Sequence, residues 1–431
     1  AADGDALRFS ISSRQQVTID GFSNPAIRVF DITDPEDVRE VRGQVQPRGA
    51  GYGVTVSGPA GGARLLLALA AGQGKGVAAL TANQPSSLRQ PAEGADMIIL
   101  SHRDFLDPTR ALAALRQSQG LSVAIVDIED VFDEFSFGVK SPQAIKDFLQ
   151  FARLSWQKAP RFLLLVGDAS LDPKNYLGLG DADFMPTRLL DTSSMETASD
   201  GWLADFDGDG VEDMAVGRLP VRTPVEAAAV VAKLIAYEQS APMDGVLLVA
   251  DANRDFDFAA ASQRLQGLIP QRLVVENLDE NQLSAATVKQ RLIDGINQGK
   301  KLINYSGHGS VSLWRGEVLT ASDAGALANE GKLPLFVMMT CLNGYFHDPG
   351  TESLAESLMK VERGGAVAVW ASSGMTEPSG QAAMNQEFYR QLFGDPGLRL
   401  GEAIIKAKAA AHNTDTRQTW LLFGDPTMRL K

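Results

Sequence analysis

The feature that most constrains the fold is an alternation of short apolar runs with amphipathic segments, which begins near residue 97. Short apolar runs bounded by turn signals are typical of buried strands, and the segments between them have helical period and length. The order strand, helix, strand, helix, strand predicts a mostly parallel sheet with right-handed crossovers. The predicted elements are strand 97–100, helix 108–119, strand 121–128, helix 142–156 and strand 161–166.

A second α/β unit begins at the apolar run 245–250, after a helix predicted over 224–239. Two of its strands end at His308 and at Cys341. This loose duplication is consistent with two subdomains that share one sheet. The remaining predicted elements are helix 258–268, strand 272–276, helix 285–298, a last strand 365–370, and helices 381–393 and 400–412.

The first part of the chain has a different pattern. Short β-type runs follow one another at even spacing, with Gly and Pro between them, and this predicts a small β-sandwich. A stretch that contains Pro, Ser and Gly, 83–94, predicts a linker. We therefore expect a β-sandwich domain over 1–90, an α/β subdomain over 95–240 and a second α/β subdomain over 241–431. The predicted sandwich strands are 7–12, 16–20, 26–33, 38–45, 53–57 and 64–69.

Composition excludes several classes of protein. The chain has 431 residues, of which 44% are hydrophobic and 22% charged, as in ordinary globular proteins with two or three cores. Its net charge is −13 and it has no basic stripe, so we expect no nucleic-acid partner. No apolar run reaches the roughly 18 residues of a membrane helix, so we expect no transmembrane segment. The start at Ala1, without Met or signal peptide, suggests a trimmed product or an excised fragment.

Cys341 is the only cysteine, so no internal disulfide can form, and its surroundings favour a nucleophile. It follows the apolar run 333–340, and His308 closely follows the run 301–305. Open α/β sheets collect their chemistry at the carboxyl ends of strands. A thiol needs a base or a cation nearby to become a thiolate near neutral pH. The two side chains could therefore converge; the alternative is a small buried Cys341 and a hydrogen-bonded turn residue at His308.

Other chemistry in this region has less support. His347 is close to Cys341 in sequence, but the segment 345–349 predicts a loop that leads away from the strand end. Gly307 and Gly309 follow a strand but open no phosphate-cradling helix, which disfavours a nucleotide site. Paired thiols and a His-x-x-x-His spacing are both missing, so a catalytic zinc site has no support.

The segment 205–213 (DFDGDGVED) predicts a structural Ca²⁺ site. Carboxylates on alternate residues, with a Gly to turn the chain, supply the oxygens that Ca²⁺ prefers, as in an EF-hand loop. The loop departs from that pattern because its last acidic residue comes early and an apolar strand follows. The alternative is a solvated acidic turn. The expected ligands are Asp205, Asp207, Asp209, Asp213 and the carbonyl of Val211.

Two segments, 304–309 (NYSGHG) and 340–344 (TCLNG), resemble the paired signature of the gingipain-type cysteine peptidases, peptidase family C25 of the caspase-like clan. The resemblance covers roughly residues 95–431. The segment before it, with 30–35 (FDITDP), is similar to the β-domains of sortase-like members that serve type IX secretion. Further matching motifs are 165–168 (LVGD), 215–220 (AVGRLP) and 422–426 (LFGDP).

The resemblance implies a caspase-like fold and a peptidase that acts on polypeptide substrates. Cys341 would attack a peptide carbonyl and His308 would protonate the leaving amine. The main-chain amides of Gly309 and Cys341 would hold the oxyanion. The acyl-enzyme could pass to water, giving proteolysis, or to an amine, giving sortase-like transpeptidation.

The resemblance also implies a carboxylate that orients the histidine. Asn253 aligns with the family's acidic position, which leaves Asp251 as a substitute; an Asn can also orient an imidazole through its carbonyl. Asp257 lies near the place where arginine-specific relatives carry a pocket aspartate, and would then bind a basic substrate residue. The alternative is that Asp257 caps the helix that begins at Phe258.

A rival from another class stays open. A catalytically silent α/β binding or secretion-scaffold module would keep the fold without the activity, and Asn253 at the acidic position is its best support. For the enzyme, the resemblance implies a secreted, periplasmic or bacterial cell-surface location and partners in a secretion system.

Overall fold

A computed structural model describes residues 1–74, 85–90 and 94–431. Over these residues the chain forms two compact units, Ala1–Gln84 and Pro85–Lys431. Of the linker predicted over 83–94, residues 83, 84 and 91–93 lie outside the described residues.

The first unit consists of two antiparallel sheets, and the small β-sandwich is confirmed. The sheets have the strand orders β1-β7-β3-β4 and β2-β6-β5, and side chains from both form one core. The run 38–45 is not one strand, because the chain changes sheet at Gly43, where a Cβ would lie 2.4 Å from Val54 Cγ2. The strands are β1 Ala6–Ile11, β2 Gln16–Phe22, β3 Ile27–Asp31, β4 Arg39–Val41, β5 Gln44–Arg48, β6 Gly51–Ser57 and β7 Arg64–Ala70.

The second unit is built on one ten-stranded sheet of order β15-β14-β16-β19-β20-β21-β13-β10-β8-β9, flanked by helices. Most of its strands are fully buried apolar runs, as strands covered on both faces must be. Its strands and the two short hairpins beside it are β8 Met97–Ser101, β9 Val123–Asp127, β10 Phe162–Val166, β11 Arg188–Asp191, β12 Glu196–Ser199, β13 Ala215–Leu219, β14 Gly245–Ala250, β15 Val274–Asp279, β16 Leu302–Ser306, β17 Gly309–Ser310, β18 Leu313–Trp314, β19 Leu335–Met339, β20 Ala368–Ser372 and β21 Trp420–Phe423.

Each half of this sheet is parallel, and the halves meet at an antiparallel seam between β20 and β21. The prediction that the last strand is 365–370 was wrong, because β21 follows it and pairs with both β20 and β13. Arg218 on β13, the strand on the other side of β21, is fully buried. It forms a two-pronged ion pair with Asp200, with both N–O distances at 2.7 Å.

The helices of the second unit begin at side-chain caps that the sequence makes visible. Ser141, Thr223 and Ser284 each accept a main-chain N–H of the first turn, and Pro occupies the first turn of two of these helices. The helices are α1 Leu106–Ser118, α2 Ile128–Ser136, α3 Pro142–Ser155, α4 Pro224–Gln239, α5 Phe258–Gln266, α6 Ala285–Gln298, α7 Ala321–Gly325, α8 Leu354–Lys360, α9 Pro378–Gly394, α10 Leu400–Ala409 and α11 Thr414–Thr419.

Candidate active site

His308 and Cys341 follow neighbouring parallel strands at the same level of the sheet edge. β16 pairs with β19, and the last paired residues are Ser306 and Met339. Each candidate residue stands two positions after its strand end. The N–H of Gly307 donates to the carbonyl of Met339 (3.1 Å), which holds the two chain exits together. The strand register therefore brings the predicted pair to adjacent positions, as expected.

Cys341 sits at a tight turn. The N–H of Asn343 donates to the Cys341 carbonyl at 2.9 Å, and Leu342 between them has a φ of +63°. A branched residue rarely adopts this left-handed conformation, so the surrounding structure has to enforce it. Asn343 supplies part of that enforcement, because its buried Nδ2 donates to the carbonyl of Ser310 (2.6 Å) on the hairpin that follows His308.

The loop after His308 lies directly against the residue before Cys341. A Cβ on Gly309 would stand 2.7 Å from Thr340 Oγ1 and 2.9 Å from the Leu313 carbonyl, so only glycine fits there. Over residues 94–431 the N–H of Cys341 has no hydrogen-bond acceptor. It therefore remains free to serve one of the two predicted oxyanion contacts.

Burial disfavours the thiolate form of Cys341. Burial raises its pKa, and Sγ points a weak hydrogen bond at the Thr376 carbonyl, 3.6 Å away. Between the side chains of Cys341 and His308, both within 94–431, no hydrogen bond forms. Cys341 lines a cavity of about 190 Å³. The other residues that line this cavity are Ser193, Ser194, Met375, Thr376, Glu377, Asn413 and Asp415.

The imidazole of His308 is oriented by Asp255, a residue that the sequence reasoning missed. Nε2 of His308 lies 2.9 Å from Asp255 Oδ1, and this hydrogen bond lowers the pKa of the Asp255 carboxyl. The ring also packs edge-on against Phe258, with centroids 5.4 Å apart. Nδ1 is therefore the ring nitrogen that this hydrogen bond leaves free.

The two residues expected to orient the His308 ring, Asp251 and Asn253, bind other groups. Asp251 is fully buried and accepts the main-chain N–H of His308 at 2.9 Å, so it holds the backbone and not the ring. Asn253 donates from Nδ2 to Asp257 Oδ1 (2.7 Å). Of the two roles weighed for Asp257, the structure shows the helix cap, since Oδ1 accepts the Ala260 N–H at 2.9 Å.

A partly buried cluster supports the loop that carries His308. Arg315 forks onto Oδ1 of Asp251 from Nε (3.0 Å) and Nη2 (2.6 Å). Glu280 lies beside this pair with a buried Oε1 that has no hydrogen-bond partner among the described residues. Burial, and then the charge of Asp251, raise the pKa of Glu280 to about 7, while Arg315 opposes the shift.

His347, the weaker candidate for the base, is buried away from Cys341. Burial lowers its pKa to about 3, so its ring is neutral at physiological pH. Its carbonyl accepts the N–H of Leu171 at 2.8 Å. This agrees with the prediction that 345–349 leads away from the strand end.

The acidic loop brings three of its predicted ligands together. Carboxylate oxygens of Asp205, Asp207 and Asp209 lie within 4.8 Å of one another. Both oxygens of Asp205 accept main-chain N–H groups, from Gly208 (2.7 Å) and Gly210 (3.0 Å). Asp213 is not in this group and pairs with Arg153 at 3.1 Å, while the N–H of Val211 donates to Asp209.

A thiol and an imidazole at neighbouring strand ends of a caspase-like α/β sheet are the arrangement of the caspase-like cysteine peptidases. The chain belongs to peptidase family C25, whose sequence model matches residues 90–431. It is a gingipain-type member of that family, as the resemblance predicts. Over the described residues, no helix is both long enough and apolar enough to span a membrane.

Curated relatives and solved structures agree with this assignment. Gingipain R2 from Porphyromonas gingivalis is 28% identical over 157 residues, which cover 33% of this chain and 21% of that protein. Lys-gingipain from the same organism is 24% identical over 229 residues, covering 51% of this chain and 12% of that protein. The chain thus spans only a small part of the curated relatives it matches.

Two crystal structures share the fold. That of the Arg-specific cysteine proteinase gingipain R has a TM-score of 0.66 and 19% identity, and the match covers 81% of this chain and 80% of that one. Dimeric latent PorU from Porphyromonas gingivalis has a TM-score of 0.50 and 17% identity, with 99% of this chain and 37% of that chain covered.

Proposed function

We propose that the chain is a cysteine endopeptidase that cleaves polypeptides through Cys341 and His308. The observation that carries this proposal is the β16–β19 register, which brings the only cysteine and a histidine to adjacent strand ends in a chain of family C25. A cavity of about 190 Å³ that Cys341 lines gives room for a substrate.

In this proposal His308 acts as a general base and then as an acid. Burial raises the thiol pKa, which disfavours a thiolate formed before the attack. The proton therefore has to pass from Sγ to Nδ1 of His308 as the sulfur attacks the carbonyl. The N–H groups of Cys341 and Gly309 then stabilise the oxyanion, each by about 3 kcal/mol. Collapse of the tetrahedral intermediate expels the amine, which takes the proton from His308. An acyl-enzyme remains.

Turnover of quenched fluorescent peptides tests the proposal. Cys341→Ala and His308→Ala are expected to lower kcat/KM by 10³-fold or more. Asn253→Ala is the control, because Asn253 lies in the loop that carries Asp255 but bonds Asp257 and not the His308 ring; it should lower kcat/KM by less than about twofold. Cleavage that survives Cys341→Ala at full rate would end the proposal.

The silent module is the second candidate, and two observations favour it. The thiol donates to Thr376 instead of His308, and its pKa is raised and not lowered. This candidate predicts no cleavage of any member of a large peptide library, together with wild-type folding. Cleavage dependent on Cys341 excludes it.

The fate of the acyl-enzyme is a separate part of the proposal. Water gives hydrolysis, and an amine gives sortase-like transpeptidation. Adding glycinamide to the reaction and weighing the products distinguishes the two. An amide-bonded product that grows with glycinamide concentration indicates transfer, and an unchanged free acid indicates hydrolysis.

A preference for basic residues before the cut also stays a proposal. Asp257, the residue expected to bind a basic side chain, caps α5 in the structure. Peptides that differ only in Arg, Ala or Leu before the cut test it, and equal turnover of the three would remove it.

We further propose that Asp205, Asp207 and Asp209 hold a structural Ca²⁺. Their close approach supports it, and each carboxylate oxygen keeps a second lone pair for a cation beyond the main-chain bonds described above. A bound ion would raise the melting temperature in calcium relative to EDTA. Asp207→Asn is expected to abolish this difference in melting temperature. The control variant Asp107→Asn, at an exposed position of α1, should keep it. Equal melting in both buffers would contradict the site.

Family membership supports a secreted, periplasmic or cell-surface location and secretion-system partners. Fractionation of cells that express the tagged full-length protein tests the location. Recovery only in the cytoplasm would contradict it.

A further inference from the structure

The main chain of His308 is held on both sides of its Cα atom. Its N–H donates to Asp251 Oδ2 at 2.9 Å. Its carbonyl accepts two bonds, from the hydroxyl of Tyr305 at 2.7 Å and from the N–H of Arg315 at 2.8 Å. The position of this residue is therefore set by its backbone contacts, separately from the bond that Asp255 makes to the ring.

The Asp251 carboxylate can play this part only if its charge is compensated, because it is fully buried. A buried ion without a partner is strongly unfavourable. Arg315 supplies the compensation from Nε and Nη2, and Nη2 also donates to the Ala252 carbonyl at 3.0 Å. A planar guanidinium can make these contacts at once, whereas an ammonium group on a flexible stem cannot reproduce the fork.

Arg315 is itself placed by the hairpin that follows His308. Trp314, the residue before it, stacks on Tyr305 with ring centroids 4.1 Å apart and planes 5° from parallel. The hairpin, Tyr305 and Asp251 thus form a closed ring of contacts around the His308 peptide groups. Arg315 enters that ring twice, once through its main chain and once through its guanidinium.

We propose that Arg315 is a positioning residue, which holds His308 at the sheet edge through the buried carboxylate of Asp251. Arg315 is not placed to touch the reacting atoms. Its effect on reactivity therefore has to pass through His308. The inference deepens the proposed function and rests on the role given there to His308.

Two measurements on Arg315→Met test this. In the first, ¹³C-labelled histidine resolves the four imidazole signals by NMR, and His308→Ala identifies the one that belongs to His308. We expect a single sharp His308 signal in the wild type and a broadened or doubled one in the variant. In the second, alkylation of Cys341 by iodoacetamide is expected to slow about tenfold on Arg315→Met, since small displacements of a catalytic group are costly.

The second measurement is repeated in the His308→Ala background, where Arg315→Met is expected to change the rate by less than about twofold. Arg390→Met, which breaks an exposed pair with Glu387, serves as the control and should leave both readouts unchanged. Arg315→Lys keeps the charge and covers the case in which the Met variant does not fold; we expect an intermediate effect.

An unchanged His308 signal in the folded Arg315 variants, or equal slowing with and without His308, would overturn the positioning role. A disturbed signal without any effect of His308 on alkylation would uphold that role and contradict the proposed dyad instead. The two failures are therefore distinguishable.

Discussion

The buried pair of Arg218 and Asp200 should contribute strongly to the stability of the second unit. Asp200→Asn leaves the guanidinium without a counter-charge, although its bonds to the carbonyls of Gly167 (2.7 Å) and Met185 (2.9 Å) persist. Breaking a buried pair on one side costs about 3–5 kcal/mol. That is a large fraction of the 5–15 kcal/mol typical of a whole domain. We therefore expect a clearly lower urea midpoint and a melting temperature several degrees below that of the wild type.

Two comparisons make this prediction refutable. The double variant Asp200→Asn/Arg218→Met leaves no isolated buried charge, so it should recover at least half of the lost free energy of unfolding. Glu387→Gln breaks an exposed pair and should cost less than about 1 kcal/mol. If Asp200→Asn changes the urea midpoint no more than Glu387→Gln does, the reasoning about this buried pair fails.

Three further outcomes follow from the site. The raised pKa of Glu280 means that its contribution to stability is complete below pH 4.5 and is lost as pH rises through about 7. Relative to Glu280→Gln, the wild type should lose about 1–2 kcal/mol between pH 5 and 8, after discounting solvent screening of the exposed part of the carboxyl; parallel stability curves would refute this. Asp255→Ala should slow Cys341 alkylation by less than about fivefold, because the carboxylate is exposed, yet by more than Asn253→Ala; the reverse order would contradict the assignment of the orienting residue. His347→Gln should leave the pH dependence of alkylation unchanged, because that ring does not titrate near neutrality, and a shifted profile would show that it takes part.

Much of the fold could be predicted because local signals determine it. The bounds of α4 and α6 agree with the prediction residue for residue, since Thr223 and Ser284 cap them and the apolar pattern has no competing period. β21 could not be predicted in the same way. It has four residues, and its status as a strand depends on β20 and β13, which come from distant parts of the chain.

The candidate site shows the same division. The positions of Cys341 and His308 after apolar runs were visible in the sequence. The parallel pairing of β16 with β19 then places these positions at neighbouring strand ends. The residue that orients His308 was not visible, because Asp251, Asp255 and Asp257 all lie in one short loop. Which carboxylate reaches the ring depends on the path of that loop, and so on the burial of Asp251 and the cap made by Asp257. Sequence offered a carboxylate in the right loop but no means of choosing among the three.

The most direct test of the central claim is the rate of Cys341 alkylation against pH, with and without His308→Ala. If the imidazole takes the proton from the thiol, the wild type reacts faster than His308→Ala at every pH below the ordinary thiol pKa of about 8.5, and the difference narrows only at higher pH, where the buried thiol ionises without help. Identical profiles for the two proteins, with reaction only at high pH or after unfolding, would show that Cys341 and His308 do not act together.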